Sequence, residues 1–249
     1  MSTELNYTWV NDRQKSETVI LFLHEALGSI GQWKSFPEEL CLQLQLPGII
    51  YERTGHGQSP ALPTERKNDY LHNYALKELP AFITFLSETF KIKEFILLGH
   101  SDGGTIALLY TAHFPEKVKA IITLAAHVIN EPETVAGIAP AIEAYEAGKL
   151  DGLKKYHGEK TEALFYAWAN IWRDPSFKSW DITNEIKPIN TPLLSIQGKD
   201  DQYGTEKQLR LIEESTQAQT SLLENCGHHP HLEQKDLVIE QITSFIRRL

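Results

Sequence analysis

The chain has 249 residues, of which 41% are hydrophobic and 23% charged, with a formal net charge of −9. That is enough for one large domain, or one domain with an insertion, and enough apolar side chain for a core that needs no disulfide or metal support. The acidic balance disfavours nucleic acid or an anionic membrane surface as the main partner, because both select a basic footprint.

At the N-terminus, Ser2 to Tyr7 show no basic segment followed by an apolar one, and no apolar run approaches the ~18 residues of a membrane span. Thr18–Leu23 then reads as a buried strand, as do Gly48–Tyr51, Glu94–Leu98, Ala120–Leu124, Leu193–Ile196 and Thr220–Leu223. Near-continuous apolar strands are what a parallel sheet covered on both faces requires. Between the second and third of these, Leu71, Tyr74, Ala75, Phe82, Ile83, Leu86 and Phe90 recur at helical spacing. Val238, Ile242, Phe245, Ile246 and Leu249 repeat that pattern at the C-terminus. Strand–helix alternation of this kind predicts an α/β fold with a doubly wound, mostly parallel sheet.

The alternation breaks between about His127 and Pro188. That stretch is helix-like and holds three of the five tryptophans, Trp168, Trp172 and Trp180. It is read as a helical lid over residues 128–187, inserted into a core formed by 1–127 and 188–249. A surface helix pair that covers no site is the plainer alternative. The two cysteines, Cys41 and Cys226, lie far apart without CxxC spacing. This suits a reducing compartment, and a soluble cytoplasmic protein is expected.

The chemistry concentrates at Gly99-His100-Ser101-Asp102-Gly103-Gly104, which follows the strand ending at Leu98 and precedes the helical run from Thr105. This is G-x-S-x-G in its required setting of strand, sharp turn and helix. The glycines allow a turn tight enough to present Ser101 above the sheet at a helix N-terminus. A serine hydroxyl needs a base within hydrogen-bond reach. Candidates lie in Asn225-Cys226-Gly227-His228-His229-Pro230-His231, on the loop after the last strand. The base in turn needs a carboxylate to hold its tautomer, and Asp200 and Asp201 follow the strand Leu193–Gln197.

Five segments in this order resemble the α/β-hydrolase superfamily, in its lidded, serine-nucleophile branch. They are His24-Glu25-Ala26-Leu27-Gly28, Tyr51 to Ser59, the elbow at Ser101, Gly198-Lys199-Asp200-Asp201 and Gly227-His228. The Ser-Asp-Gly-Gly elbow also resembles valacyclovir-hydrolase-like members. The resemblance implies a Ser101–Asp201–His228 triad, with His228 preferred to His229 and His231 because it follows glycine, and Asp201 preferred to Asp200. It further implies an oxyanion hole from the amide of Asp102 and that of Ala26 or Leu27. Glu25 departs from the family's usual glycine beside that hole, and Glu52 replaces the usual Asp of the turn at 51–59.

Glu25, His100, Phe165, Trp168 and Trp172 are the candidate substrate contacts, although the lid aromatics serve equally well as the lid's own core. The Asp102 side chain suits a cationic substrate group, or simply the dipole of its helix. His228, His229, His231 and Glu233 lack helical metal-ligand spacing, so no metal is expected. The segment from Gly55 lacks the third glycine of a dinucleotide fingerprint, and no phosphate-binding G-x-x-x-x-G-K-[ST] exists. The expected function is cofactor-independent hydrolysis of a small ester or related acyl compound through an acyl-serine. Carbon–carbon hydrolysis of a diketone and enol-lactone opening use similar parts. A non-catalytic ligand receptor on the same scaffold is the reading from a different class.

Overall fold

The computed structural model describes residues 4–12 and 16–249. Seven strands form one sheet: β1 (Tyr7–Val10), β2 (Thr18–Leu23), β3 (Gly48–Tyr51), β4 (Glu94–His100), β5 (Val118–Leu124), β6 (Leu193–Gly198) and β7 (Gln219–Leu223). Their spatial order is β1-β3-β2-β4-β5-β6-β7. All neighbours pair in parallel except β1, which runs antiparallel to β3. The doubly wound, mostly parallel α/β sheet expected from the strand pattern is therefore present. β1 escapes the sequence pattern because it is a four-residue edge strand whose side chains are all only half-buried, so it lacks the continuous apolar run of the central strands.

The helices are α1 (Phe36–Leu44), α2 (Tyr70–Asn73), α3 (Leu79–Phe90), α4 (Asp102–His113), α5 (Pro132–Glu146), α6 (Lys154–His157), α7 (Thr161–Arg173), α8 (Glu206–Thr216), α9 (Pro230–Glu233) and α10 (Lys235–Ile246). Strand alternation divides their packing between two cores. Val19, Leu21 and Leu23 of β2 face Phe82, Ile83 and Leu86 of α3 and Ile106 of α4. Ile20 and Phe22 face Phe36 and Leu40 of α1 and Val238, Ile242 and Phe245 of α10. Residues 125–192 leave the sheet after β5 and return at β6, carrying α5, α6 and α7. Phe165, Trp168, Ala169 and Trp172 of α7 join the first of these cores.

The single helix expected over 71–90 is interrupted. Between α2 and α3, Tyr74–Glu78 forms a π-turn, in which the Leu79 amide donates to the Tyr74 carbonyl. Pro80 has no amide to donate to Leu76, and the widened turn accommodates that loss. The result keeps Tyr74 and Glu78 pointing toward the loop at 53–54. There Tyr74 Oη donates to the Thr54 carbonyl (2.7 Å) and the Thr54 amide donates to Glu78 (3.0 Å).

Candidate active site

The Ser101 backbone adopts φ 52°, ψ −120°, a region that L-residues rarely enter. Its amide donates to the Leu124 carbonyl (2.8 Å) and its carbonyl accepts from Gly104 (2.8 Å), so β5 and α4 hold the strained turn in place. Two glycines make the turn possible. A Cβ on Gly99 would fall 2.2 Å from the Gly103 carbonyl, and one on Gly103 would fall 1.9 Å from that of Leu23. Asp102 follows as the first residue of α4. Its amide belongs to the turn that has no carbonyl one turn back, so it points outward as a free donor.

His228 lies on the loop after β7, and its Nδ1 sits 2.9 and 2.8 Å from the two oxygens of Asp201. Both side chains are almost wholly buried. Since a carboxylate only accepts, Nδ1 carries the proton and the Nε2 lone pair is left free. Asp201 is fixed by two further donors, the Tyr203 amide (2.8 Å) and Gln197 Nε2 (2.7 Å). Burial raises the Asp201 carboxyl, but the facing His228 ring and the Tyr203 amide bring it below the usual carboxylate range. Asp200, the rival acid, is exposed. Of the neighbouring histidines, His231 packs against Trp33 and Phe36. His229 instead faces Glu25, at 3.5 Å.

One cavity of about 200 Å³ is lined by Ser101, His228, Asp102, Ala26 and Leu27 together with Glu25, Phe165, Trp168 and Trp172. Leu150, Leu153, Tyr203 and His127 also line its wall. Of the candidate substrate contacts, His100 alone lies elsewhere. It is buried, and its Nε2 donates to the His228 carbonyl at 2.7 Å.

The loop 24–28 is held from three sides. The buried Arg53 guanidinium donates to the carbonyls of His24 and Glu25. His24 accepts the Arg53 amide at Nε2 (3.2 Å) and donates Nδ1–H to Glu25 O (2.7 Å), which defines a neutral ring. From the insertion, His157 accepts the Gly57 amide at Nδ1 (3.0 Å) and donates Nε2–H to the Leu27 carbonyl (2.9 Å). Lys160 adds donors to the carbonyls of Gly57 (2.6 Å) and Ser59 (2.5 Å). A second tie runs from Trp172 Nε1 to Tyr70 Oη (2.9 Å), which donates to the Asp102 carboxyl (2.8 Å). Asp102 is pushed up by burial despite the nearby Arg53 and the Tyr70 bond. Sequence reasoning missed His157, Lys160 and Tyr70 because each acts through a contact distant in the chain, and Gln197 because, although only four residues from Asp201, it belongs to no motif.

Truncating His157 to Ala strands the buried Gly57 amide, at a cost of about 1–3 kcal/mol, and frees the part-buried Leu27 carbonyl. His157→Ala is therefore expected to lower the urea midpoint. It should also lower kcat more than it raises KM, because the loosened segment carries the candidate oxyanion donors Ala26 and Leu27. Steady-state kinetics beside a denaturation curve check both effects.

Burial also governs acid stability. It lowers His24 and His56 well below 6.5, His127 to about 4 and His231 to about 3. The unfolded chain protonates these rings near 6.5, whereas the folded protein keeps them neutral. Their contribution is therefore full above about pH 6.5 and drains away as pH falls toward the folded values, at up to about 1.4 kcal/mol per pH unit for each ring. The urea midpoint should drop between pH 7 and pH 5. An unchanged midpoint contradicts neutral burial.

Residues 18–168 match the sequence profile of the alpha/beta hydrolase fold family. The chain belongs to that family. Among curated relatives it is similar to the 2-hydroxy-6-oxo-6-phenylhexa-2,4-dienoate hydrolase of Burkholderia cepacia. That match is 23% identical and covers 91% of this chain and 86% of that one. A proline iminopeptidase of Lactiplantibacillus plantarum is 32% identical over a shorter stretch, 47% of this chain and 39% of its own. Among solved structures, the enol-lactonase of Burkholderia xenovorans LB400 superposes with a TM-score of 0.74 at 18% identity, covering 98% of this chain and 96% of that one. A thermophilic esterase from Thermogutta terrifontis gives 0.73 at 17%, covering 98% and 93%. These structural matches speak for the fold. Among the described residues, no helix of this family member is long and apolar enough to cross a membrane.

Proposed function

We propose that this α/β-hydrolase is a serine hydrolase of small esters or related acyl compounds, with Ser101 as nucleophile, His228 as base and Asp201 as the orienting acid. The buried Asp201–His228 pair, facing the same cavity as the strained Ser101, carries this reading. His228 Nε2 takes the Ser101 proton as Oγ attacks the acyl carbon. The oxyanion then meets the amides of Asp102 and of Ala26 or Leu27, each such donor being worth about 2.7–4 kcal/mol. The protonated His228 next delivers its proton to the leaving alcohol, and water repeats the sequence to free the acid and Ser101. No step calls on a cofactor or metal. Residues 128–187 act as the lid, and their aromatic wall selects a small apolar or aromatic acyl group. Both free thiols, Cys41 and Cys226, are buried and unpaired, which supports a reducing, cytoplasmic setting.

A fluorophosphonate probe should label the protein stoichiometrically, and a panel of short-acyl, aromatic and amino-acid esters should include substrates. Well-folded protein that takes no label belongs with the ligand receptors instead. The relative from Burkholderia cepacia, matched over most of both chains, favours carbon–carbon hydrolysis of a dienoate ketone as the second reading. A diketone in the panel distinguishes the two.

The wall gives a further expectation. Trp168→Ala enlarges the cavity beside α7, so kcat/KM should shift toward longer acyl chains by roughly tenfold, the value of one or two buried methylenes. An unaltered chain-length profile would mean that Trp168 serves only the packing of the insertion.

A further inference from the structure

We infer that Glu25, His100 and His228 form a reversible zinc-binding site whose occupation switches off the catalytic base. One donor atom from each of these side chains lies within 4.8 Å of the other two. Zinc bonds to imidazole nitrogen and carboxylate oxygen measure about 2.0–2.2 Å, so a tetrahedral ion would hold its ligand atoms about 3.3 Å apart. Closing that gap takes small side-chain rotations.

The supporting contacts match those of built metal sites, in which each ligand imidazole donates its other N–H to a carboxylate or backbone carbonyl. His228 Nδ1–H is spent on Asp201 and His100 Nε2–H on the His228 carbonyl. Free lone pairs remain on His228 Nε2 and His100 Nδ1. His100 is buried, and the Glu25 carboxylate faces His229 at 3.5 Å. Two neutral imidazoles and one carboxylate with an open fourth position suit zinc, and cobalt as its spectroscopic substitute. A carboxylate at position 25 thus has a consequence that the glycine usual there would lack. Coordination occupies the lone pair that would accept the Ser101 proton, so the bound ion inhibits the reaction.

The inhibition half of this inference rests on the hydrolase reading above, whereas the metal-binding half does not. Tag-free protein is stripped with chelator and titrated with Co²⁺. A visible d–d band saturating at one equivalent, and bleached by Zn²⁺, is expected. Zn²⁺ should also suppress ester turnover, with full recovery on adding EDTA. Glu25→Gln should raise the half-saturating Co²⁺ concentration roughly tenfold or more. If that variant does not fold, Glu25→Asp, whose carboxylate is withdrawn by one methylene, serves the same comparison. Absence of the band in folded wild-type protein overturns the site, as does unchanged affinity in the Glu25 variant. Should no ester be turned over at all, the proposed activity fails while the cobalt titration still decides the site.

Discussion

Ser101→Ala is expected to abolish fluorophosphonate labelling and to cut kcat on the order of a millionfold, while circular dichroism stays unchanged. The loss follows from removing the only atom that the scheme joins to substrate. The fold survives because Ser101 is held by its backbone, through Leu124 and Gly104. A companion variant isolates the cost of presenting that atom. Ser101→Gly also removes the nucleophile, but it relaxes a residue at φ 52°, where glycine suffers no Cβ penalty. It should therefore be more stable than Ser101→Ala by roughly 1 kcal/mol, or about 2–4 °C in Tm for a chain of this size. Labelling that persists in either variant rejects Ser101 as the nucleophile.

Asp201→Asn should lower kcat by about ten-thousandfold with little change in KM. The wild-type carboxylate serves three donors at once: His228 Nδ1, the Tyr203 amide and Gln197 Nε2. An asparagine offers one oxygen to those three and brings an NH₂ of its own. Gln197 cannot simply turn its amide to help, because Nε2 also donates to the Gly204 carbonyl at 3.0 Å. The ring of His228 is then pushed toward the tautomer whose Nε2 carries hydrogen, which cannot accept a proton from serine. The imidazolium formed during reaction also loses its counter-charge. Asp200→Asn, on an exposed side chain, should leave kcat within about twofold, as surface changes remote from such features usually do. The reverse outcome would move the acid to Asp200.

Much of the architecture was legible because the central strands are buried on both faces. Thr18–Leu23 and Gly48–Tyr51 have the bounds that their apolar runs suggest, and β4, β5, β6 and β7 extend the expected runs by one or two residues. The seryl elbow was legible for a different reason, since a Cβ on Gly99 or Gly103 would fall about 2 Å from neighbouring backbone, which leaves only glycine at those positions. What the sequence concealed depends on partners brought in by folding. His157 and Leu27 stand 130 positions apart, and Trp172 and Tyr70 stand 102 apart. The convergence of Glu25 with His100 was equally hidden, because each belongs to a separate motif. Tyr74–Glu78 kept its apolar spacing through the π-turn, so periodicity alone gave no warning of the break.

Two of the fastenings that hold the insertion bear on how far it can move. His157 and Lys160 bolt one end to the 52–60 loop, and Trp172 bolts the far helix to the base of the elbow through Tyr70. Residues 125–192 therefore cannot move away from the sheet as a unit without stranding buried polar groups at both places, the Gly57 amide at one and the Trp172 indole N–H at the other.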